Sequence, residues 1–303
     1  MPEDLSKYLV IGISSRALFD LGYEDDIFRT QGLKAYEEYQ LNNESVILKP
    51  GAAFPLVRAI LHLNDIVPGK RKAEVLIMSR NSAETSLRIF NSIEHYGLDI
   101  TRAALTGGAQ LAPYIHAFSV DLFLSLYEDD VQAAVKAGVA AAIVYEKPAN
   151  PIEDRITEIR IAFDGDAVLF SDQAERVYSE QGIEAFLNHE KENAKKPLPE
   201  GPFAKLLKTL SYIQKEYKGS PQPIRTALVT SRNSPAHERV IRTLRTWDVD
   251  LDETFFLGGM QKGEVLKAFK PHIYFDDQTV HCEETSQFVP TGLVPSVTGN
   301  NEE

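Results

Sequence analysis

Cysteine is almost absent from this chain, in which Cys282 is the single example among 303 residues. One cysteine cannot close a disulfide within the chain, and its scarcity fits a reducing compartment. Cys282 follows the acidic pair Asp276 and Asp277, a position that could suit a catalytic thiol. Because free cysteine is commonly a small buried hydrophobe, we interpret Cys282 as a core residue instead.

Positive charge and long apolar runs are also scarce. The formal net charge is −12, and the sequence has no basic stripe with interleaved aromatic residues, which argues against nucleic acid as a partner. No stretch approaches the roughly 18 apolar residues of a membrane span. The first ten residues lack a basic region followed by an apolar run, so we expect a cytoplasmic protein with no membrane partner.

Apolar and charged residues are present in the amounts of a globular protein, at 43% and 25% of the chain. A length of 303 residues allows one large domain or two of about 150 residues. An acidic protein can still bind an anionic small molecule if a metal cation supplies positive charge at the site.

The sequence contains an internal repeat. Residues 11–36 match residues 161–186 at their apolar positions, and Gly32 and Gly182 lie 150 residues apart. Further on, the run from Ser79 to Ser82 recurs from Ser231 to Ser234, and Gly107-Gly108 recurs as Gly258-Gly259. Since both order and spacing are kept, we interpret the chain as an internal duplication.

Strands alternate with helices in both copies. The predicted strands cover residues 8–13, 74–78, 122–124, 140–145, 159–163, 226–229 and 272–275. The predicted helices cover residues 27–41, 54–63, 82–96, 130–137, 183–195, 203–217 and 236–247. This pattern indicates an α/β fold of two duplicated, Rossmann-like halves with mainly parallel sheets. Whether the two sheets are continuous is left open.

The domain boundary is predicted at the proline-bearing segment Lys147 to Asp154. Residues 1–150 then form the first half, and residues 151–303 form the second half with a mobile tail from residue 295.

Two carboxylates stand at the end of a predicted strand in the second half. Asp164 and Asp166 flank Gly165 directly after Phe163. Ligands bind at the carboxyl ends of parallel strands, so both side chains would face a binding crevice. A plain Asp-Gly turn explains the tripeptide equally well.

Three further elements follow other predicted strands or turns of the second half: Thr230, Lys262, and the pair Asp276-Asp277. Taken singly, each has an ordinary explanation as a helix cap or an exposed side chain. The order Asp-x-Asp, Thr, Lys, Asp-Asp is far more specific than any one of them. The first half lacks this set, since its matching positions are Ser14, Arg16, Leu111, Ser125 and Leu126.

This order resembles the four motifs of the haloacid dehalogenase superfamily of phosphotransferases. More narrowly, the strings FDGDAVLFSD, LVTSR and HIYFDDQ in the second half are similar to the cytosolic 5'-nucleotidase I family. SSRALFD and NSIEHYGL in the first half share that similarity. The resemblance spans almost the whole chain and implies haloacid dehalogenase-like halves, with the second catalytic and the first a degenerate copy.

The resemblance implies a role for each motif residue. Asp164 would be the nucleophile that forms an aspartyl phosphate. Asp166 would protonate the leaving 5'-oxygen and then take a proton from water. Thr230 and Lys262 would hold the phosphoryl oxygens.

The resemblance also implies Mg²⁺ as cofactor. Its ligands would be the Asp164 carboxylate, the Asp166 backbone carbonyl and Asp276, with Asp277 in support. Oxygen donors of this kind are the ones that Mg²⁺ prefers. The cation would offset the repulsion between a phosphate and several carboxylates.

The remaining polar loops are open to more than one interpretation. Ser231, Arg232 and Asn233 follow Thr230, and they either contact the phosphate or cap the next helix. The first half, including Arg80, Asn81 and Gly107-Gly108, could close the site as a lid with substrate contacts, bind a regulatory nucleotide, or only preserve the fold.

The expected function is therefore Mg²⁺-dependent hydrolysis of nucleoside 5'-monophosphates, with AMP-like substrates first. The alternatives are a phosphatase of another small phosphate ester and a nucleotide-binding regulator without turnover. A nucleotide effector and a homo-oligomer are possible partners. The preference for base and sugar is not fixed by the sequence.

Overall fold

The computed structural model describes residues 4–66, 71–146, 156–217 and 222–296. The predicted joint at residues 147–154 and the tail from residue 297 lie outside these ranges. The strands are β1 (Leu9–Ile13), β2 (Phe19–Asp20), β3 (Lys49–Pro50), β4 (Ala73–Ser79), β5 (Arg102–Leu105), β6 (Leu122–Ser125), β7 (Ala140–Val144), β8 (Ile159–Phe163), β9 (Ile224–Thr230), β10 (Glu253–Phe256), β11 (Ile273–Asp276) and β12 (Thr291–Leu293).

Helices connect these strands. They are α1 (Ser15–Leu18), α2 (Gly22–Gln31), α3 (Leu33–Asn42), α4 (Phe54–Ile66), α5 (Leu87–His95), α6 (Ala112–Ile115), α7 (Glu128–Lys136), α8 (Gln173–Glu192), α9 (Ala204–Glu216), α10 (His237–Thr246), α11 (Gly263–Phe269) and α12 (Thr279–Thr285). Within the described residues, none of these helices has both the length and the apolarity that a membrane crossing requires.

One sheet of ten strands runs through both halves in the order β10-β9-β8-β11-β12-β7-β6-β1-β4-β5. Neighbouring strands pair in parallel, with β7 and β12 as the antiparallel exception in this sheet as described. The predicted α/β class with a mainly parallel sheet is confirmed. The question of continuity is also answered, because β7 and β12 join the two sets of strands.

The two sets of five strands have the same order. The first runs β5-β4-β1-β6-β7 and the second runs β10-β9-β8-β11-β12, meeting at the β7–β12 pair. Because that pair is antiparallel, the carboxyl ends of the two sets lie at opposite edges of the sheet. This geometry decides which loops can share a site.

The central strands are buried on both faces, which is why they read as continuous apolar runs. All five residues of β1 and all seven of β4 are buried. The largest hydrophobic core contains residues of both halves, among them Phe54 and Phe163. Each half has a second, smaller core on the opposite face of the sheet.

Several elements differ from the sequence-based expectation. The helix expected at 27–41 is two helices, α2 and α3, because Gly32 between them has a φ of +87°. Helix α8 has the same break at Gly182, with a φ of +81°. Strands β5 and β10 were not predicted, since they lie at the two ends of the sheet and are only partly buried. The three-residue strand β12 was too short to give a pattern.

The turn after β8 is held against the loop before α9 by a close backbone approach. A Cβ atom on Gly201 would lie 2.5 Å from the carbonyl oxygen of Val168 and would also collide with that of Phe170. We expect Gly201→Ala to lower the midpoint of thermal unfolding by about 5 °C, because overpacking of this kind costs about 1–3 kcal/mol.

The matched control is Gly22→Ala in the first turn of α2, where the nearest atom to a new Cβ would be 3.5 Å away. This variant should unfold at or slightly above the midpoint of the unmodified protein. Equal midpoints for the two variants would contradict the close approach at Gly201.

Candidate active site

The ends of three adjacent strands bring the motif residues together. Asp164 directly follows β8, Thr230 ends β9 and Asp276 ends β11, and β8 lies between the other two strands. Lys262 reaches the same place from the start of α11. Their exposed fractions are only 6%, 2%, 0% and 5%, in the order Asp164, Thr230, Asp276 and Lys262. The structure therefore brings these four residues of the predicted set together in one buried position.

The ammonium group of Lys262 lies between two carboxylates. Its Nζ donates to Oδ1 of Asp164 at 2.6 Å and to Oδ2 of Asp276 at 2.7 Å. Burial alone would lower the pKa of Lys262, but the two carboxylates outweigh it and hold this pKa above its ordinary value. Lys262 is therefore a fixed cation whose charge offsets two buried anions.

Asp276 is the most deeply buried acid of the group. Tyr274 donates its hydroxyl hydrogen to Oδ2, and the backbone N–H of Gln278 donates to Oδ1 at 2.9 Å. His281 Nδ1 lies 3.3 Å from Oδ2. Burial alone would raise the pKa of Asp276, but His281, Lys262 and Tyr274 together bring it below its usual range. Asp276 is thus an ionised acceptor.

Asp164, Asp276 and Asp277 could hold a metal ion, since each offers an oxygen within 4.8 Å of the others. The Oδ1 atom of Asp277 is buried without a hydrogen-bond partner. Burial, followed by the charges of Asp164, Glu175 and Asp276, raises the pKa of Asp277 to about 9. Burial also raises the pKa of Asp164 to about 7, despite the nearby Lys262. An oxygen-only set with unmet acceptor capacity suits a hard divalent cation such as Mg²⁺.

Asp166 lies at the rim of this group and forms an ion pair with an arginine. Both of its oxygens accept from Arg232, at 2.8 Å from Nε and 2.6 Å from Nη2. The remaining nitrogen of the Arg232 guanidinium, Nη1, donates to Oε2 of Glu190. The side chain of Arg232 therefore does not cap the next helix, which was one of the two interpretations, and contact with phosphate stays a prediction. Its partners are carboxylates on either side.

Gly165 lets the two catalytic-motif acids sit close to Thr230. A Cβ atom at Gly165 would lie 3.1 Å from Oγ1 of Thr230, tighter than a normal contact. Oγ1 of Thr230 also accepts from the backbone N–H of Arg232 at 3.3 Å. The flanking residues Ser231 and Asn233 are exposed at the same strand end.

The first-half loops are placed elsewhere. Arg80 and Asn81 follow β4, and Gly107-Gly108 follow β5, so they lie at the opposite edge of the sheet from Asp164. They bind one another, since Gly107 N–H donates to Asn81 O at 3.1 Å and Gly108 N–H donates to Arg80 O at 2.7 Å. This placement argues against a lid built from these loops over the site of the same chain.

Three residues of the site were not singled out from the sequence. Tyr274 could have been found, because residues two apart in a strand share one face and Tyr274 precedes Asp276 by two. His281 lies in the first turn of α12, the helix that follows that strand. No sequence motif around Glu190 indicated a role for it. Only the alignment of the two repeats distinguishes it, because the residue 150 positions earlier is the neutral Gln40.

The fold and site define an α/β protein whose parallel strands end in a buried acidic cluster that could hold a divalent cation. Comparison with known proteins identifies the family: the chain belongs to the 5'-nucleotidase family, which matches residues 1–301. The predicted membership is confirmed.

A similar human protein is cytosolic 5'-nucleotidase 1B, which is 38% identical over 292 residues. The match covers 93% of this chain but 48% of the human protein, so the chain spans about half the length of that relative. No solved structure matches the chain significantly.

Cys282 lies directly beneath the acidic pair. Its side chain is fully buried, and its Sγ is 3.6 Å from the carbonyl oxygen of Asp276. Burial, followed by Asp276 and Asp277, raises the pKa of the thiol. We expect a thiol-specific disulfide reagent at pH 8 to leave the folded protein unmodified, because the reagent cannot reach the buried sulfur and the thiol stays protonated.

The same reagent should modify Cys282 fully in urea, which serves as the control. Prompt, stoichiometric reaction of the folded protein would contradict this placement of Cys282.

Proposed function

We propose that the chain is a Mg²⁺-dependent 5'-nucleotidase that converts nucleoside 5'-monophosphates, AMP-like ones first, to nucleoside and phosphate. The observation that carries the proposal is the buried group in which Lys262 bridges Asp164 and Asp276. Membership of the 5'-nucleotidase family and the name of the human relative support the substrate class. That name also supports the proposed cytoplasmic location.

The proposed reaction has two displacements at phosphorus. A carboxylate oxygen of Asp164 bonds to phosphorus while the bond to the 5'-oxygen breaks, and Asp166 gives its proton to that oxygen. Water then attacks the aspartyl phosphate, Asp166 takes a proton from this water, and the bond to Asp164 breaks. The first step leaves Asp166 as a carboxylate that can take a proton from water, and the second step restores its protonated form.

Thr230 and Lys262 would hold the oxygens of the phosphoryl group during transfer, when its charge is spread over them. Both residues are already buried at the strand ends, so little reorganisation is needed. The proposed ligands of Mg²⁺ are Asp164, the backbone carbonyl of Asp166, Asp276 and Asp277. When bound, the cation would neutralise charge on the phosphate and on the carboxylates.

We assign the chemistry to the second half, residues 151–303, and regard the first, residues 1–150, as a degenerate copy from a duplication. The equal strand order of the two sets and the matched breaks at Gly32 and Gly182 support this assignment. Matched contacts support it too, because Arg88 Nε donates to Val46 O as Arg239 Nε donates to Lys196 O.

Two competing proposals are a phosphatase of another small phosphate ester and a nucleotide-binding regulator without turnover. Binding alone would not require an acid and base at Asp166, which favours turnover. A nucleotide effector and a homo-oligomer stay predictions.

Phosphate release from a panel of nucleoside 5'-monophosphates and sugar phosphates, with Mg²⁺ or with EDTA, tests the proposal. The expected result is release from the nucleotides in Mg²⁺, loss of release in EDTA, and a fall of at least about a thousandfold in Asp164→Asn, since the nucleophile is removed.

Ser14→Asn is the matched control, because it places the same side chain at the equivalent position of the first half and should retain activity. EDTA-insensitive release would defeat the metal part of the proposal. An active Asp164→Asn variant would defeat the assigned nucleophile, and release from sugar phosphates alone would favour the competing phosphatase.

A further inference from the structure

We propose that Glu190 is a positioning residue for Asp166, acting through the guanidinium of Arg232. This inference rests on the proposed function, because it explains how that site keeps its acid/base in place. Glu190 lies on α8, on the stretch of chain between the Asp-x-Asp motif and Thr230. None of the motifs assigned above includes it.

Arg232 holds Asp166 by two parallel hydrogen bonds. Nε to Oδ2 measures 2.8 Å and Nη2 to Oδ1 measures 2.6 Å. A bidentate pair of this kind fixes the plane and the direction of a carboxylate as well as its distance. The orientation of Asp166 is therefore set by the orientation of Arg232.

Glu190 in turn fixes Arg232. Its Oε2 accepts from Arg232 Nη1 at 2.5 Å, while its Oε1 accepts from Arg239 Nη1 at 2.7 Å. The side chains of Glu190 and Arg232 are 0% and 2% exposed. The ring of Phe186 lies 5.5 Å from the guanidinium carbon of Arg232. Arg232 cannot turn without giving up contacts with two carboxylates in a position that water barely reaches.

The first half shows what this region looks like when there is no acid/base to hold. The residue at the position of Asp166 is Arg16, that of Glu190 is Gln40, and that of Phe186 is Tyr36, each 150 residues earlier. Gln40 Nε2 donates to the hydroxyl of Tyr36 at 3.1 Å. Oε1 of Gln40 accepts from Arg88 at 3.5 Å, and Glu24 supplies the carboxylate that pairs with Arg88. A neutral side chain thus stands in the first half where Glu190 contacts two arginines.

The matching arginine is also turned away. Arg80, the counterpart of Arg232, binds Asp130 on α7, and its side chain is 39% exposed against 2% for Arg232. By contrast, the arginine on the following helix is buried in both halves, as Arg88 and as Arg239. A buried arginine on this helix and a carboxylate partner for it are kept in both halves, whereas the arginine that follows the strand turns inward in the second half, beside Asp166, and not in the first.

Pairing of the buried helix arginine alone does not require a carboxylate at the position of Glu190, because in the first half Glu24 pairs with Arg88 while Gln40 occupies that position. The charged network is therefore assigned to Asp166, whose carboxylate must face first the leaving oxygen and then the attacking water. A misplacement of about 1 Å can lower a rate by about a hundredfold. Substrate phosphate is held by Thr230 and Lys262 in the proposed function, so loosening Arg232 should change kcat and leave KM nearly unchanged.

The test compares Glu190→Gln with Glu24→Gln in the whole chain. Glu24 is a buried glutamate of the first half that binds Arg88 at 2.5 Å, so the same isosteric change breaks a similar pair far from the site. Both variants should lose similar thermal stability. Only Glu190→Gln should lose kcat on a nucleoside 5'-monophosphate, by about tenfold or more, with KM within about twofold.

Arg232→Lys provides a second variant that keeps the charge and removes the fork, and it should show the same loss of kcat even if Glu190→Gln does not fold. Equal kcat values for Glu190→Gln, Arg232→Lys and Glu24→Gln would overturn the inference, as would a rise in KM at unchanged kcat. An unmodified protein that releases no phosphate from any mononucleotide defeats the proposed function, and the inference with it. If the unmodified protein is active and the kcat values of Glu190→Gln and Arg232→Lys are unchanged, the inference fails while the proposed function stands.

Discussion

The contact on which the site depends is the one between Lys262 and the two carboxylates of Asp164 and Asp276. Three acids at adjacent strand ends would repel one another in a buried position, and a buried charge left without its partner costs about 3–5 kcal/mol. Lys262 removes part of that repulsion, while Tyr274 and the N–H of Gln278 satisfy the remaining acceptors of Asp276. Asp277 keeps an unmet oxygen, and this is where a divalent cation would complete the charge balance.

The second constraint is the antiparallel pair of β7 and β12, which joins the two sets of parallel strands into one sheet. It allows a core to run through both halves, yet it sends their strand ends to opposite edges. The loops of the first half can then change without disturbing Asp164. A partly exposed Arg80 pairs with the buried Asp130 where the second half has Arg232 and Asp166. The two sets of strands share one order, and the proposed chemistry lies at one edge.

Much of the fold could be predicted from sequence, because buried parallel strands such as β1, β4 and β8 are apolar throughout. The strands at the two ends of the sheet and the three residues of β12 carried too little pattern. The motif order predicted that Asp164, Thr230, Lys262 and Asp276 belong to one site. Three of them lie at the ends of parallel strands, which meet at one edge, and Lys262 begins α11. The role of Arg232 could not be predicted, because its partner Glu190 is distant in sequence and a guanidinium can reach several acceptors. Tyr274 could have been predicted, because it lies two residues before Asp276 in the same strand.

The central claim is that Asp164 takes the phosphoryl group before water does. The stereochemical course at phosphorus tests it most directly, using a nucleoside 5'-phosphorothioate made chiral at phosphorus with two oxygen isotopes and hydrolysed in water of the third isotope, so that the thiophosphate product is itself chiral. Two in-line displacements, the first by Asp164 and the second by water, predict overall retention of configuration. Inversion would mean that water attacks phosphorus directly, and it would contradict the account.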